Sequence, residues 1–180
     1  MFGMTALDTI GTASQRAKLA QYLELVRQTN ERVNLVSRQD IAHLAEHHLA
    51  PSCLFVVLKR IGPNERILDI GSGGGFPGIV CAILQPDSQF VLVDSTRKKT
   101  EFLQAVVTKL NLTNVQVVWQ RVETMAKSPE WQRSFDGSIS RAVAPLENLI
   151  VWSKPLLKRN GTVEALKGQQ AATAEAKILH

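Results

Sequence analysis

Asp69-Ile-Gly-Ser-Gly-Gly-Gly-Phe-Pro-Gly78 is the stretch whose reading decides the fold. A short apolar run, Arg66-Ile-Leu-Asp-Ile70, precedes it, and a helix-like run, Pro77-Gly-Ile-Val-Cys-Ala-Ile-Leu84, follows. Strand, glycine turn, helix is the order that lets a nucleotide-like ligand lie against bare backbone, because glycine permits both the tight turn and the close approach. Asp69 narrows the choice of ligand. A dinucleotide or triphosphate would bring phosphates to this turn, and a carboxylate two residues before the first glycine would repel them. S-adenosylmethionine carries a cationic sulfonium and an ammonium group and no phosphate, so it fits better than NAD. Gly71, Gly73 and Gly75 followed by Phe76 also lack the third glycine of a dinucleotide fingerprint.

Working outward, Gln89-Phe-Val-Leu-Val93 reads as the next strand and ends in Asp94-Ser95. An acidic residue after the second strand is placed to hydrogen-bond ribose hydroxyls. Its other reading is an N-cap for the helix that starts near Thr96. Further strands are expected at 115–119, 135–140 and 162–167, with helices at 77–84, 97–110 and 145–157. Such alternation means a mostly parallel sheet with helices on both faces. Upstream, residues 14–30 have helical spacing, with Leu19, Tyr22, Leu23 and Val26 on one face and Ser14 as N-cap. A second helix is expected from about Asp40 to Ala50, broken by Pro51. The reading divides at Gly62-Pro63: a helical extension over residues 1–62 and a catalytic core over 63–180. Residues 169–180 supply helix formers and nothing strand-like. The sheet is therefore expected to lack its last two strands, leaving the fifth as a bare edge with reduced stability.

Bulk properties set limits. The chain has 180 residues, 44% of them hydrophobic, enough for one ordinary domain with a sizeable core. No run approaches the ~20 apolar residues of a membrane span, and the first residues show no signal-peptide pattern. Cys53 and Cys81 are the only cysteines and sit in apolar stretches, as buried thiols of a cytoplasmic protein do. A net charge of +5 is compatible with an anionic partner without requiring one.

Several of these pieces are more specific than the fold. Asn34-Leu-Val-Ser37, the Asp69–Gly78 segment with its Gly-Phe-Pro-Gly ending, Asp94-Ser95 with Lys98-Lys99 and Phe102-Leu103, Arg121-Val-Glu123, Ser140-Arg-Ala142 and Leu166-Lys-Gly168 together resemble the RsmG/GidB family. These are bacterial methyltransferases that modify a guanosine at ring N7 in 16S ribosomal RNA. The resemblance implies a class I S-adenosylmethionine-dependent methyltransferase fold, Rossmann-like, with an N-terminal helical extension. It implies cofactor contacts at Gly71, Phe76, Val122, Glu123 and Arg141, beside the Asp69, Gly73 and Asp94 read from the motif. Where the family shows Arg-His-Ile/Leu-Leu-Asp-Ser, this chain has His47-His48-Leu49-Ala50-Pro51-Ser52, and two of the departures stand out: the arginine has become His47 and the aspartate Pro51.

Guanine N7 offers an unprotonated lone pair, so the reaction needs positioning rather than a general base. No residue is therefore expected to be catalytic in the strict sense. Arg141 is read as a positioning residue for the cofactor carboxylate or a phosphate. No Asn-Pro-Pro-Tyr motif, which serves exocyclic amines, ends the fourth strand. Cations in the first turn of a helix are unfavourable by ~0.3–1 kcal/mol each, so Lys98 and Lys99 suggest RNA phosphate. Asn34, His48 and Lys167 are the other expected RNA contacts. His43-Leu-Ala-Glu46-His47 matches an H-x-x-E-H metalloprotease pattern, but nothing flanking it supports zinc, and no metal is expected. Trp119, Trp131 and Trp152 are given no role. The partner expected is 16S rRNA or the small ribosomal subunit, met by a monomer, with neither DNA nor membrane involved. The rival readings are a small-molecule methyltransferase and a non-catalytic RNA-binding relic.

Overall fold

The structure, a computed structural model, describes residues 10–166 and, for the backbone alone, 174–178. Six strands form one sheet in the order β3-β2-β1-β4-β5-β6. They are β1 (Arg66–Ile70), β2 (Gln89–Asp94), β3 (Val115–Trp119), β4 (Phe135–Arg141), β5 (Leu157–Leu166) and β6 (Ala174–Ile178). The first five are parallel, with Asp69 beside Leu92 of β2 and Ile139 of β4. Because β1 lies between β2 and β4, the chain reverses its direction of travel across the sheet there. That is the switch point at which open α/β sheets bind ligands beyond their carboxyl ends.

The central strands are buried on both faces, which is why they read as continuous apolar runs. On one face α1 (Ala13–Asn30), α2 (Ala50–Val57), α3 (Gly78–Leu84) and α4 (Arg97–Lys109) share a single core. Leu19, Tyr22, Leu23 and Val26 of α1 belong to the same cluster as Ile79 and Ile83 of α3 and Phe102 and Leu103 of α4. The helical extension is therefore built into this layer. The opposite face is covered by α5 (Val122–Met125) and α6 (Leu146–Ser153), around Met125, Phe135 and Leu156. No helix among the described residues is long and apolar enough to cross a membrane. Cys53 and Cys81 are free and buried, and burial pushes the Cys53 thiol up to about 11.

Three expectations are corrected here. Helix α1 is capped by Thr12, whose hydroxyl and the Gln15 side chain form a reciprocal capping box, and Ser14 lies inside the helix. Strand β5 starts at Leu157, five residues earlier than expected, with an irregular register between Phe135 and Gly137. The segment read as helix-forming holds β6, antiparallel to β5 with Thr162 opposite Ile178 and Leu166 opposite Ala174. Pairing against an open strand edge overrides the weak local preference of an Ala/Glu/Lys sequence, and it covers the edge that was expected to be bare.

Pro51 does not break a helix either. The chain winds as a 3-10 turn at Ile41–His43 and a π turn at Ala45–Leu49, and α2 then begins with Pro51 in its first turn. There a missing N–H costs little. The carbonyl four residues back, which that N–H would have bonded, belongs to His47. It accepts from Arg141 Nη1 at 3.1 Å instead. The next carbonyl, of His48, accepts from the Ser52 hydroxyl at 2.6 Å.

Candidate active site

The glycine turn after β1 is held from every side. The amides of Gly71 and Ser72 donate to the Val93 carbonyl at 2.9 and 3.2 Å, and that of Gly75 to the Ser72 carbonyl at 2.7 Å. From α1, the fully buried Tyr22 hydroxyl donates to the Gly74 carbonyl at 2.6 Å. Leu35, in the loop after α1, packs so closely that a Cβ on Gly74 would come within 3.2 Å of it. Gly71 and Gly73 have φ of +67° and +54°, values that side chains resist. A Cβ on Gly73 would meet nothing nearer than the Gly71 carbonyl oxygen at 3.8 Å, so its bare face is open.

Two cavities flank this turn at the carboxyl ends of the parallel strands. The first, about 400 Å³, is lined by Gly71–Gly74, Phe76, Asp94, Lys99 and Arg141, among others. The second, about 160 Å³, is lined by Gly71, Asp94, Gln120, Val122, Glu123 and Trp152, among others. Gly71, Asp94, Ser95 and Val143 border both. Of the eight expected cofactor contacts, seven therefore line one cavity or both. Asp94 is nearly buried, and its carboxylate accepts from the Gly73 amide at 2.9 Å and the Thr96 amide at 2.8 Å. Thr96, not Asp94, occupies the N-cap position of α4. Each carboxylate oxygen keeps a lone pair for a ligand hydroxyl.

Asp69 is the exception. It is 0% exposed and lines neither cavity. One oxygen accepts from the Gly78 amide at 3.1 Å, at the start of α3, and the other has no partner. Burial pushes its carboxyl up to about 7, against the pull of Ser72, the Gly78 amide and the Arg141 guanidinium. Its place is beneath the turn, fixing the angle between strand and helix.

Arg141, at the end of β4, joins the site to the extension. Besides the His47 carbonyl it donates to His48 Nδ1, and its guanidinium lies 5.5 Å from the Phe76 ring centre. Accepting there leaves His48 neutral with its proton on Nε2, 3.6 Å from Asp40 Oδ2. Burial and the neighbouring guanidinium push His48 down to about 4, although Asp40 pulls the other way. Asp40 also accepts from His47 Nδ1 at 2.9 Å and the Ser37 hydroxyl at 2.7 Å, bonds that hold it down to about 2. His48 was expected to meet RNA. At 7% exposure it faces Arg141 and Phe76 inside the protein, which corrects that expectation.

Among the other expected RNA contacts, Asn34 and Lys98 are exposed, and Lys99 is half-buried at the rim of the first cavity. Lys167 lies outside the described residues. The His43, Glu46 and His47 ligand atoms lie within 4.8 Å of one another, close enough to share a metal ion. His43 and Glu46 are exposed, and His47 is already bonded to Asp40. Sequence reasoning missed Val143, which walls both cavities and sits where a Cβ on Gly71 would come within 2.6 Å of it. It also missed the Tyr22 hydroxyl. A lone phenol on an otherwise apolar helix face was the available signal, since a buried hydroxyl needs a partner.

Comparison with known proteins follows the same lines. The family described as "GidB: rRNA small subunit methyltransferase G" matches residues 15–178. A curated "Ribosomal RNA small subunit methyltransferase G" from Desulfitobacterium hafniense is 39% identical over 160 residues, covering 89% of this chain and 66% of that protein. One from Chlorobaculum tepidum is 42% identical over 150 residues, covering 83% of this chain and 67% of that protein. The chain thus spans about two thirds of the length of these relatives. Among solved structures, a SAM-dependent methyltransferase from Aquifex aeolicus superposes with a TM-score of 0.52 at 20% identity, over 68% of this chain and 70% of that one. That likeness shows the class I methyltransferase sheet, and the sequence matches go further. The chain belongs to the GidB family, the rRNA small subunit methyltransferases G.

Proposed function

We propose that this protein transfers a methyl group from S-adenosylmethionine to N7 of a guanosine in 16S ribosomal RNA. The observation that carries the reading is the pair of cavities meeting at Asp94 and Val143, at the switch point of a chain from this family. Bound there, S-adenosylmethionine supplies an electrophilic methyl on its sulfonium. The bare backbone at Gly73 gives it a surface to lie on, Asp94 offers acceptors to its ribose, and α5 presents the unpaired amides of a helix start at Val122 and Glu123 to the adenine. Arg141 offers charge to an anionic group and is itself held by two bonds to the extension.

The carboxylates on the lining are Asp94 and Glu123, and Asp94 already accepts two backbone amides. Neither is needed as a base, because N7 carries a free lone pair. What the chain contributes is position: a glycine turn held from several sides, and cations for RNA phosphate at Lys99 on the rim and at the exposed Lys98 beside it in sequence. The protein acts as a monomer in the cytoplasm, on the small ribosomal subunit or its RNA. Mass spectrometry of nucleosides from rRNA incubated with the protein and S-adenosylmethionine tests this. 7-Methylguanosine should rise with enzyme concentration. Calorimetric binding of S-adenosylmethionine without any methylated rRNA nucleoside would overturn the substrate, and absence of binding would overturn the cofactor as well.

A further inference from the structure

The three tryptophans have different surroundings. Trp131 is buried and stacked on Phe135, 6.0 Å between ring centres. Trp152 is half-buried and lines the second cavity. Trp119 is 59% exposed and lines neither cavity. It is the last residue of β3, beside Asp94 at the end of β2. Its indole N–H donates to the Ser95 carbonyl at 3.0 Å, and the Arg97 guanidinium lies 5.5 Å from its ring centre. Ser95 lines both cavities, so the ring is fixed to the cavity rim.

A large indole left in water and locked in place is a surface waiting for a flat partner. The bond to Ser95 restrains the ring beforehand, so less order is lost on contact. Arg97 covers part of the ring, and the 59% exposure means that the remainder is open. Lys98 and Lys99 follow on the same turn and make no ion pair among the described residues, while Arg97 bonds Glu101 at 2.9 Å. An aromatic plane flanked by unneutralised cations is the chemistry that holds single-stranded nucleic acid, bases on the ring and phosphates on the cations.

We propose that Trp119 is a stacking platform for an unpaired base of the RNA substrate, flanking the target nucleotide, with Lys98 and Lys99 engaging phosphates beside it. This rests on the RNA reading above and adds to it where the strand is gripped. The assay titrates the 180-residue chain with an unstructured purine-rich oligoribonucleotide and follows tryptophan fluorescence and affinity. Stacking should quench the emission. Trp119→Leu should lose the quench and bind roughly tenfold more weakly, with an unchanged salt slope and unchanged heat for S-adenosylmethionine. Trp119→Phe should recover most of the affinity, because a phenyl ring still stacks. Lys98→Ala/Lys99→Ala should instead lower the salt slope by about 0.7 per lost contact. If Trp119→Leu binds the oligonucleotide as tightly as the natural chain, the platform is overturned and the RNA reading stands. If the natural chain binds neither the oligonucleotide nor rRNA at any salt, both fall.

Discussion

The two cavities meet at the same residues yet are built in different ways. The wall of the first is assembled from afar: Tyr22 reaches Gly74 from α1, and Arg141 reaches back to His47 and His48 from β4. Beneath it Asp69 is sealed from solvent. The second shares Gly71, Asp94, Ser95 and Val143 with the first, and what it has to itself on the far side is the short local segment Gln120–Glu123, backed by Trp152. A substitution in the first wall should therefore disturb folding and binding together, whereas one in the Gln120–Glu123 segment should change binding alone.

Gly73→Val gives the largest expected effect. The side chain would enter the first cavity from a residue at φ +54°, so heat on titration with S-adenosylmethionine should vanish, and the strain of a β-branched residue there should lower unfolding stability in urea as well. Asp94→Ala comes next. It removes an acceptor for the ligand and releases the Gly73 and Thr96 amides, and a hydrogen bond of this kind is worth ~1–3 kcal/mol. Calorimetry should show roughly tenfold weaker binding, and unchanged affinity would take Asp94 out of the site. Tyr22→Phe leaves the Gly74 carbonyl buried without its donor and should lower unfolding stability by about 1–2 kcal/mol in urea. If it weakened binding without touching stability, the contrast between the two walls would fail. Glu123→Gln should be smallest, within about twofold for the ligand, since the half-buried side chain makes no ion pair among the described residues, and silent in unfolding.

A pH experiment separates the walls differently. His48 is pushed from 6.5 down to about 4 in the folded chain, so its protonation opposes folding. Its contribution is complete above pH 6.5 and is lost as the pH falls towards 4. Asp69 is pushed from 3.8 up to about 7, so its ionisation opposes folding, and its contribution is lost as the pH rises over that interval. The slopes have opposite signs over nearly the same window, and the natural chain should show a shallow profile there. In urea unfolding at successive pH values, His48→Asn should become steadily less stable from pH 4 to 7. Asp69→Asn should become steadily more stable. Parallel profiles for the two variants would show that these groups do not titrate as placed.

Much of this is legible in the sequence. The parallel sheet follows from the alternation of strand and helix patterns around the glycine motif, and of the seven expected cofactor residues that line the cavities, Gly73 and Asp94 come from that motif and the other five from the family resemblance. What escaped was non-local. Nothing near His48 announces Arg141, which lies 93 residues away, and nothing near Asp69 says that the carboxylate turns under the helix rather than into the cavity. The strand at Ala174–Ile178 escaped for the same reason, since its partner and not its composition makes it extended. Pro51 was read as a breaker because a local rule was applied to a helix whose preceding turn is wound as π.

The bond from Arg141 to the His47 carbonyl closes a loop of 94 residues, and β1 cannot complete its pairing until β4 arrives from a comparable distance. Contacts so far apart in sequence form late, because each must first overcome the entropy of closing its loop. The glycine turn and its two neighbouring strands can come together early, but the cavity they border stays without its far wall. During synthesis the nascent chain therefore holds no finished site until the Ser140-Arg-Ala142 segment has emerged. Cofactor capture in a time course of refolding would mark the final step rather than the first.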